Sequence, residues 1–181
     1  MNDTIIAAID EAGALFPIEK LEAHRRGQHH LAISVFVFRG DELLLQRRAA
    51  HKYHSAGLWA NTCCSHPAWG ESVEACATRR LHEELGLRLP LRAASVLDYS
   101  ADVGGGLTEN ERVHYFVGDY PLDSSIADDI SPDPDEVAEV RWMTVGDLRR
   151  AVDANPAAYA PWLRIYLQRA RETGIERLLP R

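Results

Sequence analysis

The stretch His30-Leu31-Ala32-Ile33-Ser34-Val35-Phe36-Val37-Phe38-Arg39 constrains the fold of this chain more than any other. It is rich in β-branched and aromatic residues, and side chains alternate across an extended backbone, so it predicts a strand. Leu31, Ile33, Val35 and Val37 form one apolar face, while His30, Ala32, Ser34 and Phe36 share the other. A helical period follows further on. Val73, Ala77, Leu81 and Leu85 recur every four residues, predicting a helix over 71–86 with Gly86 as its stop.

The rest of the chain fits around these two elements. A short hairpin is expected over 4–9 and 16–20 around Glu11-Ala12-Gly13, and a second strand at about 42–48 after the Gly40-Asp41 turn. Residues 58–65 read as one extended stretch leading into a Pro/Gly loop at 67–70. Strands are expected at 93–100, 110–118 and near 137–143, with an acidic Pro/Asp-rich loop at 121–136. Thr144-Val145-Gly146-Asp147 looks like a capped helix start, and a longer helix is expected over 160–173 with Trp162, Ile165 and Tyr166 inward. No repeat, low-complexity tract or boundary interrupts the pattern. The expectation is a single α/β (α+β) domain over residues 1–181, a mixed central sheet between helices.

Composition narrows the function classes. The formal net charge of −7 argues against nucleic-acid binding by bulk charge. Positive charge is nevertheless concentrated at Arg47-Arg48, Lys52 and Arg79-Arg80, which suits a small anionic ligand. No apolar run approaches the roughly 20 residues that span a bilayer, so no membrane partner is expected. The Met1-Asn2-Asp3-Thr4 start lacks the features of a signal peptide, and three cysteines, two adjacent, do not make a disulfide framework. A reducing, cytoplasmic setting is expected, with no obligate protein partner evident.

The chemistry-bearing residues gather in two short pieces. In extended backbone Cys64 and His66 face one side, as do Glu109 and Glu111. A thiol, an imidazole and two carboxylates that converge would suffice for a metal site with a proton donor and acceptor. Between them, Glu83-Glu84 place carboxylates at the C-terminal end of the 71–86 helix, where the helix dipole disfavours them. A nearby cation, usually a metal ion, is one reason to keep them there. Arg80 lies four residues before Glu84 and projects from nearly the same face.

Glu71, Arg79, Leu81, Glu83, Glu84, Gly86 and Leu87 have the spacing of the Nudix box, which this helix resembles. It departs from that pattern at Ser65, where the box opens on Gly, and at Arg80, where the box has an acidic residue. Thr62-Cys63-Cys64-Ser65-His66-Pro67 and Thr108-Glu109-Asn110-Glu111, taken with that modified helix, resemble the type 1 isopentenyl-diphosphate isomerases of the Nudix superfamily. The resemblance extends in order through Glu19-Lys20, Ala23-His24, His30-Leu31-Ala32, Arg47-Arg48, Lys52, Tyr99 and Pro161-Trp162, about residues 4–165.

That resemblance implies interconversion of isopentenyl and dimethylallyl diphosphate, a shift of a double bond by protonation and deprotonation. It assigns the acid and base roles to Cys64 and Glu111, with Tyr99 and Trp162 beside the cationic centre that forms between the two proton transfers. It implies a six-coordinate Mn²⁺, Mg²⁺ or Zn²⁺ at His24, His30, His66, Glu109 and Glu111. Lys20, Arg48, Lys52 and Arg80 would bind the diphosphate, and Glu84 with the Cys64 carbonyl would hold a substrate-borne Mg²⁺. Cys63 and Cys76 read as small buried side chains, and His51, His54, His82 and His114 as ordinary surface or core histidines. Two rivals are a Nudix hydrolase, which would need no Cys64 and would carry a carboxylate where Arg80 stands, and a non-catalytic Nudix-like binding module.

Overall fold

The computed structural model describes residues 4–123 and 129–179. Ser124–Asp128, part of the 121–136 loop, lie outside the described residues.

The strand expected at 30–39 is the spine of the sheet. β1 (Ile5–Ile9) and β2 (Leu15–Glu19) form the N-terminal hairpin and lead into α1 (Lys20–Arg26); β3 (His30–Arg39) follows. β3 then pairs with four other strands. It meets β1 at His30, and β4 (Glu42–Arg48) at its far end. It runs antiparallel to β6 (Cys63–Ser65), and parallel to β8 (Leu107–Asp119) along nine positions from His30–Glu111 to Phe38–Asp119. β7 (Leu91–Gly104) folds back on β8, while β5 (Trp59–Ala60) and β9 (Val137–Thr144) pair with β4.

Both faces of β3 are buried, and they feed separate cores. Ile33, Val35 and Val37 pack with Leu44, Cys63 and the Cys76, Ala77, Leu81 and Leu85 stripe of α2 (Val73–Leu85). Ala32, Phe36 and Phe38 pack on the opposite side against Leu148 of α3 (Val145–Ala154) and Trp162, Leu163, Tyr166 and Leu167 of α4 (Pro161–Gln168). The sheet thus lies between α2 and the C-terminal helices. α2 begins where Ser72 accepts from the Ala75 amide and ends at Gly86, whose φ of 72° is left-handed.

Three boundaries differ from the sequence expectation. Residues 58–65 are not one strand, because the buried Asn61 and Thr62 between β5 and β6 supply side-chain bonds in place of ladder bonds. Asn61 donates to Ser34 Oγ and the Val35 carbonyl; Thr62 Oγ1 donates to the Leu44 carbonyl and accepts from the Val37 amide. The C-terminal helix stops at Gln168, short of 173, and in the following turn Thr173 and Ser95 cap the Ala170 and Glu172 carbonyls. α1 has no counterpart in the sequence reading. Glu19 caps it by accepting from the Leu21 and Glu22 amides, and Gly27 closes it at φ 60°.

Candidate active site and metal centre

A cavity of about 290 Å³ opens beside β3, at the small end of the range for ligand clefts. Cys64, His66, Glu109, Glu111, Tyr99, Trp162, Lys20, Arg48, Lys52, Arg80 and Glu84 all line it. Register explains the convergence: His30 stands opposite Glu111 on one side of β3, and Ser34 stands opposite Cys64 on the other. Cys64 and Glu111 therefore share a face of the sheet, offset by four positions along β3 (about 13 Å of backbone).

At one end three imidazoles meet two carboxylates. His24, His30, His66 and Glu111 bring one ligand atom each to within 4.8 Å of one another. His24 Nδ1 lies 2.7 Å from the Lys20 carbonyl and His30 Nδ1 lies 2.6 Å from the Gln28 carbonyl. A carbonyl accepts only, so both Nδ1 atoms carry the proton and both Nε2 atoms present lone pairs. Those Nε2 atoms are buried without a hydrogen-bond partner, as is His66 Nδ1. A carbonyl bonded to one ring nitrogen, fixing the tautomer and leaving the other nitrogen a bare lone pair, is what a metal-binding histidine requires. The residues fit a divalent ion.

The carboxylates are tied to each other through Tyr99, whose hydroxyl lies 2.6 Å from Glu109 Oε2 and 2.9 Å from Glu111 Oε2. His66 Nε2 is 2.8 Å from Glu111 Oε1. Burial and the neighbouring Glu111 charge push the Glu109 carboxyl well above its ordinary range. Burial acts on Glu111 in the same sense, but the neighbouring His30 and His66 rings, His66 through a hydrogen bond, outweigh it and hold Glu111 well below that range. Burial likewise lowers His24 to about 4. His29 stays outside this cluster, 3.8 Å from Asp98.

Cys64 is set differently. Its thiol donates to Asn61 Oδ1 at 3.2 Å and lies 3.4 Å from Ser34 Oγ. Burial pushes it up to about 12, so the group is held as a loaded thiol. Cys63 and Cys76 are fully buried in the core on the other side of the sheet.

The opposite end is cationic. Lys20, lowered to about 8 by burial and by Lys52, Arg80 and Arg48, lies in this group. Arg48 stacks 5.2 Å over the Trp162 ring. Arg80, however, is already engaged by Glu83 at 2.8 Å, Glu84 at 2.7 Å and Glu136 at 3.1 Å, and Lys52 pairs with Glu136. Glu84 also accepts from Gln46. The cation beside these helix-end carboxylates is Arg80 itself.

His54 corrects the sequence reading. It is buried at the cavity wall, its ring 5.7 Å from His24 and 5.9 Å from Trp162, with Nε2 4.0 Å from Glu109 Oε1. It sits in a loop without periodicity, and only its neighbourhood in space reveals it. Glu136 was missed for the same reason.

The NUDIX domain family profile matches residues 28–164. An isopentenyl-diphosphate Delta-isomerase of Cereibacter sphaeroides is 54% identical over 168 residues, covering 92% of each chain. One from Rhodobacter capsulatus is 51% identical over 161 residues, covering 88% of this chain and 89% of its own. Among solved structures, DR0079 from Deinococcus radiodurans superposes with a TM-score of 0.71 at 14% identity, covering 91% of this chain and 98% of its own. A MutT NUDIX hydrolase from Burkholderia pseudomallei gives 0.60 at 22%, covering 78% and 97%. These two likenesses carry the fold alone. The chain belongs to the Nudix superfamily and, within it, to the type 1 isopentenyl-diphosphate Delta-isomerases. Among the described residues, no helix is long and apolar enough to cross a membrane.

Proposed function

We propose that this enzyme interconverts isopentenyl and dimethylallyl diphosphate, with Cys64 and Glu111 as its two proton-transfer groups. The observation that carries the reading is their placement on one sheet face, in one small cavity, with cations at its other end.

The chemistry follows from the substrate. An unactivated alkene is a feeble base, so a proton must be delivered to its terminal carbon, leaving positive charge on the branched carbon. A second proton then leaves the methylene next to that carbon, and the double bond has moved by one position. Cys64 carries a proton at Sγ, and the Ser34 hydroxyl beside the sulfur would donate to the thiolate left behind. Glu111, ionised and fixed by His30, His66 and Tyr99, is the acceptor. Trp162 lines the cavity, and its ring would attract the intervening cation.

His24, His30, His66, Glu109 and Glu111 would hold Mn²⁺, Mg²⁺ or Zn²⁺, which would fix the carboxylates and neutralise the charge that drives the Glu109 carboxyl upward. Lys20, Arg48, Lys52 and Arg80 would take the diphosphate, and Glu84 with the Cys64 carbonyl would hold a substrate-borne Mg²⁺ that neutralises its charge. The small cavity favours a short-chain diphosphate over a nucleotide.

Incubation with isopentenyl diphosphate tests the reading. Dimethylallyl diphosphate should form, with solvent deuterium incorporated in deuterated water. Release of free phosphate without isomer would favour the hydrolase, and no turnover a binding module.

A further inference from the structure

We propose that His54 is a sixth protein ligand to the ion held by His24, His30, His66, Glu109 and Glu111, closing its coordination sphere to water. The inference rests on the metal-site reading above and extends it.

Two overlapping constellations lie at this end of the cavity: His24, His30, His66 and Glu111 form one, and His24, His54 and Glu109 form the other. They share His24. Its Nδ1 is committed as a donor to the Lys20 carbonyl, so it has one lone pair, on Nε2, and one lone pair binds one ion. An ion bound at that lone pair would stand against both groups.

The spacings agree with that. His54 Nε2 lies 4.0 Å from Glu109 Oε1, and His30 Nε2 lies 3.5 Å from Glu111 Oε1. Both are long for a hydrogen bond. Around an ion with ligands at about 2.1 Å, neighbouring ligand atoms lie roughly 3 Å apart and opposed ones about 4.2 Å apart. Both contacts fall inside that interval. The ring of His54 is also aimed rather than free, packed on His24 at an interplanar angle of 28° and against the edge of Trp162 at 81°. Among the described residues, the one non-glycine with a left-handed backbone is the next residue, Ser55, at φ 49°.

Four imidazoles and two carboxylates make six donors. A catalytic ion that activates water keeps an open position. An ion enclosed by six side chains presents no water and no vacant site, which suits a centre that orients Glu111 and excludes hydrolysis. Nitrogen donors also tilt the site away from Mg²⁺ and toward Zn²⁺, Co²⁺ and Mn²⁺.

The test loads wild-type, His54→Ala and His54→Gln proteins with Mn²⁺, then measures water-proton relaxation and Mn²⁺ affinity. Wild-type protein should bind one Mn²⁺ with little relaxation enhancement. His54→Ala should bind it about 10-fold or more weakly and show a clear rise in relaxivity as water enters the vacated position. His54→Gln, which keeps the bulk, should lose more affinity for Zn²⁺ than for Mg²⁺. Unchanged affinity, relaxivity and metal ranking in both variants would overturn the proposal while leaving the five-residue site standing. Wild-type protein that binds no ion would remove the site and the proposal together; His66→Gln distinguishes the cases, because it should lose the ion whatever His54 does.

Discussion

At the His/Glu end of the cavity His24 stands on α1, His30, Glu109 and Glu111 stand on strands and His66 directly follows β6, and the His24, His30 and His66 rings each leave one nitrogen without a partner. At the cationic end they come from the start of α1, the end of β4, a loop and the flank of α2, and the charge of Lys52 and Arg80 is already met by Glu136 and Glu84. One end gathers donor atoms that fit an ion. The other is a site in which an internal anion stands where an external one would. A ligand meets unpartnered imidazole nitrogens at the first, and at the second it must displace a carboxylate.

The largest effects should come from Cys64 and Glu111, the two groups proposed to move protons in the cavity. We predict that Cys64→Ser and Glu111→Gln each lower turnover by about 10²–10⁴-fold, measured as dimethylallyl diphosphate formed. Cys63→Ser should leave turnover near normal. Its thiol lies in the other core, so that variant should instead lose roughly 1–3 kcal/mol of stability in denaturant unfolding. Near-normal isomerisation by Cys64→Ser would remove the thiol from the mechanism.

Metal removal should discriminate the two ends. His66→Gln or Glu109→Gln should abolish stoichiometric metal by elemental analysis, whereas Lys52→Gln should leave it intact. Chelation should lower the melting temperature of wild-type protein, since an ion at 100 times its dissociation constant contributes about 2.7 kcal/mol. Full metal content in both His/Glu-end variants would mean that the ligand set is wrong.

The bare lone pairs also set a pH dependence in the chelated protein. Burial lowers His24 to about 4 and His54 to about 3, against about 6.5 for an unfolded histidine. Between those values the unfolded chain binds more protons than the folded one, so stability rises with pH and falls on acidification from about 6.5 toward 4. Each histidine contributes a few kcal/mol, roughly, across its window. Glu109, raised by burial and by Glu111, acts in the opposite sense and offsets part of the loss. Melting temperatures of chelated protein at pH 7 and pH 4.5 should therefore differ more in the wild type than in His24→Gln. Equal drops would show that these rings do not titrate as a buried pair.

Much of this arrangement was legible in the sequence because it repeats at short range. The alternation in β3 and the four-residue stripe of α2 are local patterns, and each formed where its period placed it. Motif spacing set Cys64, Glu109 and Glu111 on strands with His66 directly after β6, and register brought them into one cavity. What escaped reading has no period. Helix α1 is seven residues long, too short to show a stripe, and its cap is a glutamate rather than the usual Ser, Thr, Asp or Asn. Asn61 and Thr62 break a strand through bonds to Ser34, Val35, Val37 and Leu44, partners far along the chain. His54 and Glu136 lie in loops, and their roles depend on what folds against them.

The smallest predicted effect sharpens the comparison most, and it lies in Glu136. Burial alone would raise this carboxyl, but Lys52 and Arg80 outweigh it and hold it below its ordinary range, so it is ionised at neutral pH. Its hydrogen-bonded segment is fixed to α2, with Ser131 and Asp133 amides donating to the Leu85 and Glu84 carbonyls. A diphosphate entering beside Lys52 and Arg80 must compete with it. In Glu136→Gln those cations lose a partner while the geometry of the His/Glu end stays as it was. Inorganic pyrophosphate should then bind more tightly by calorimetry, about 5-fold for a contribution near 1 kcal/mol. KM for isopentenyl diphosphate should fall while kcat changes little, and the affinity should become more sensitive to salt. Weaker pyrophosphate binding would reverse the reading: Glu136 would then be aligning Lys52 and Arg80 for the ligand, and the cationic end would be as pre-organised as the end that faces it.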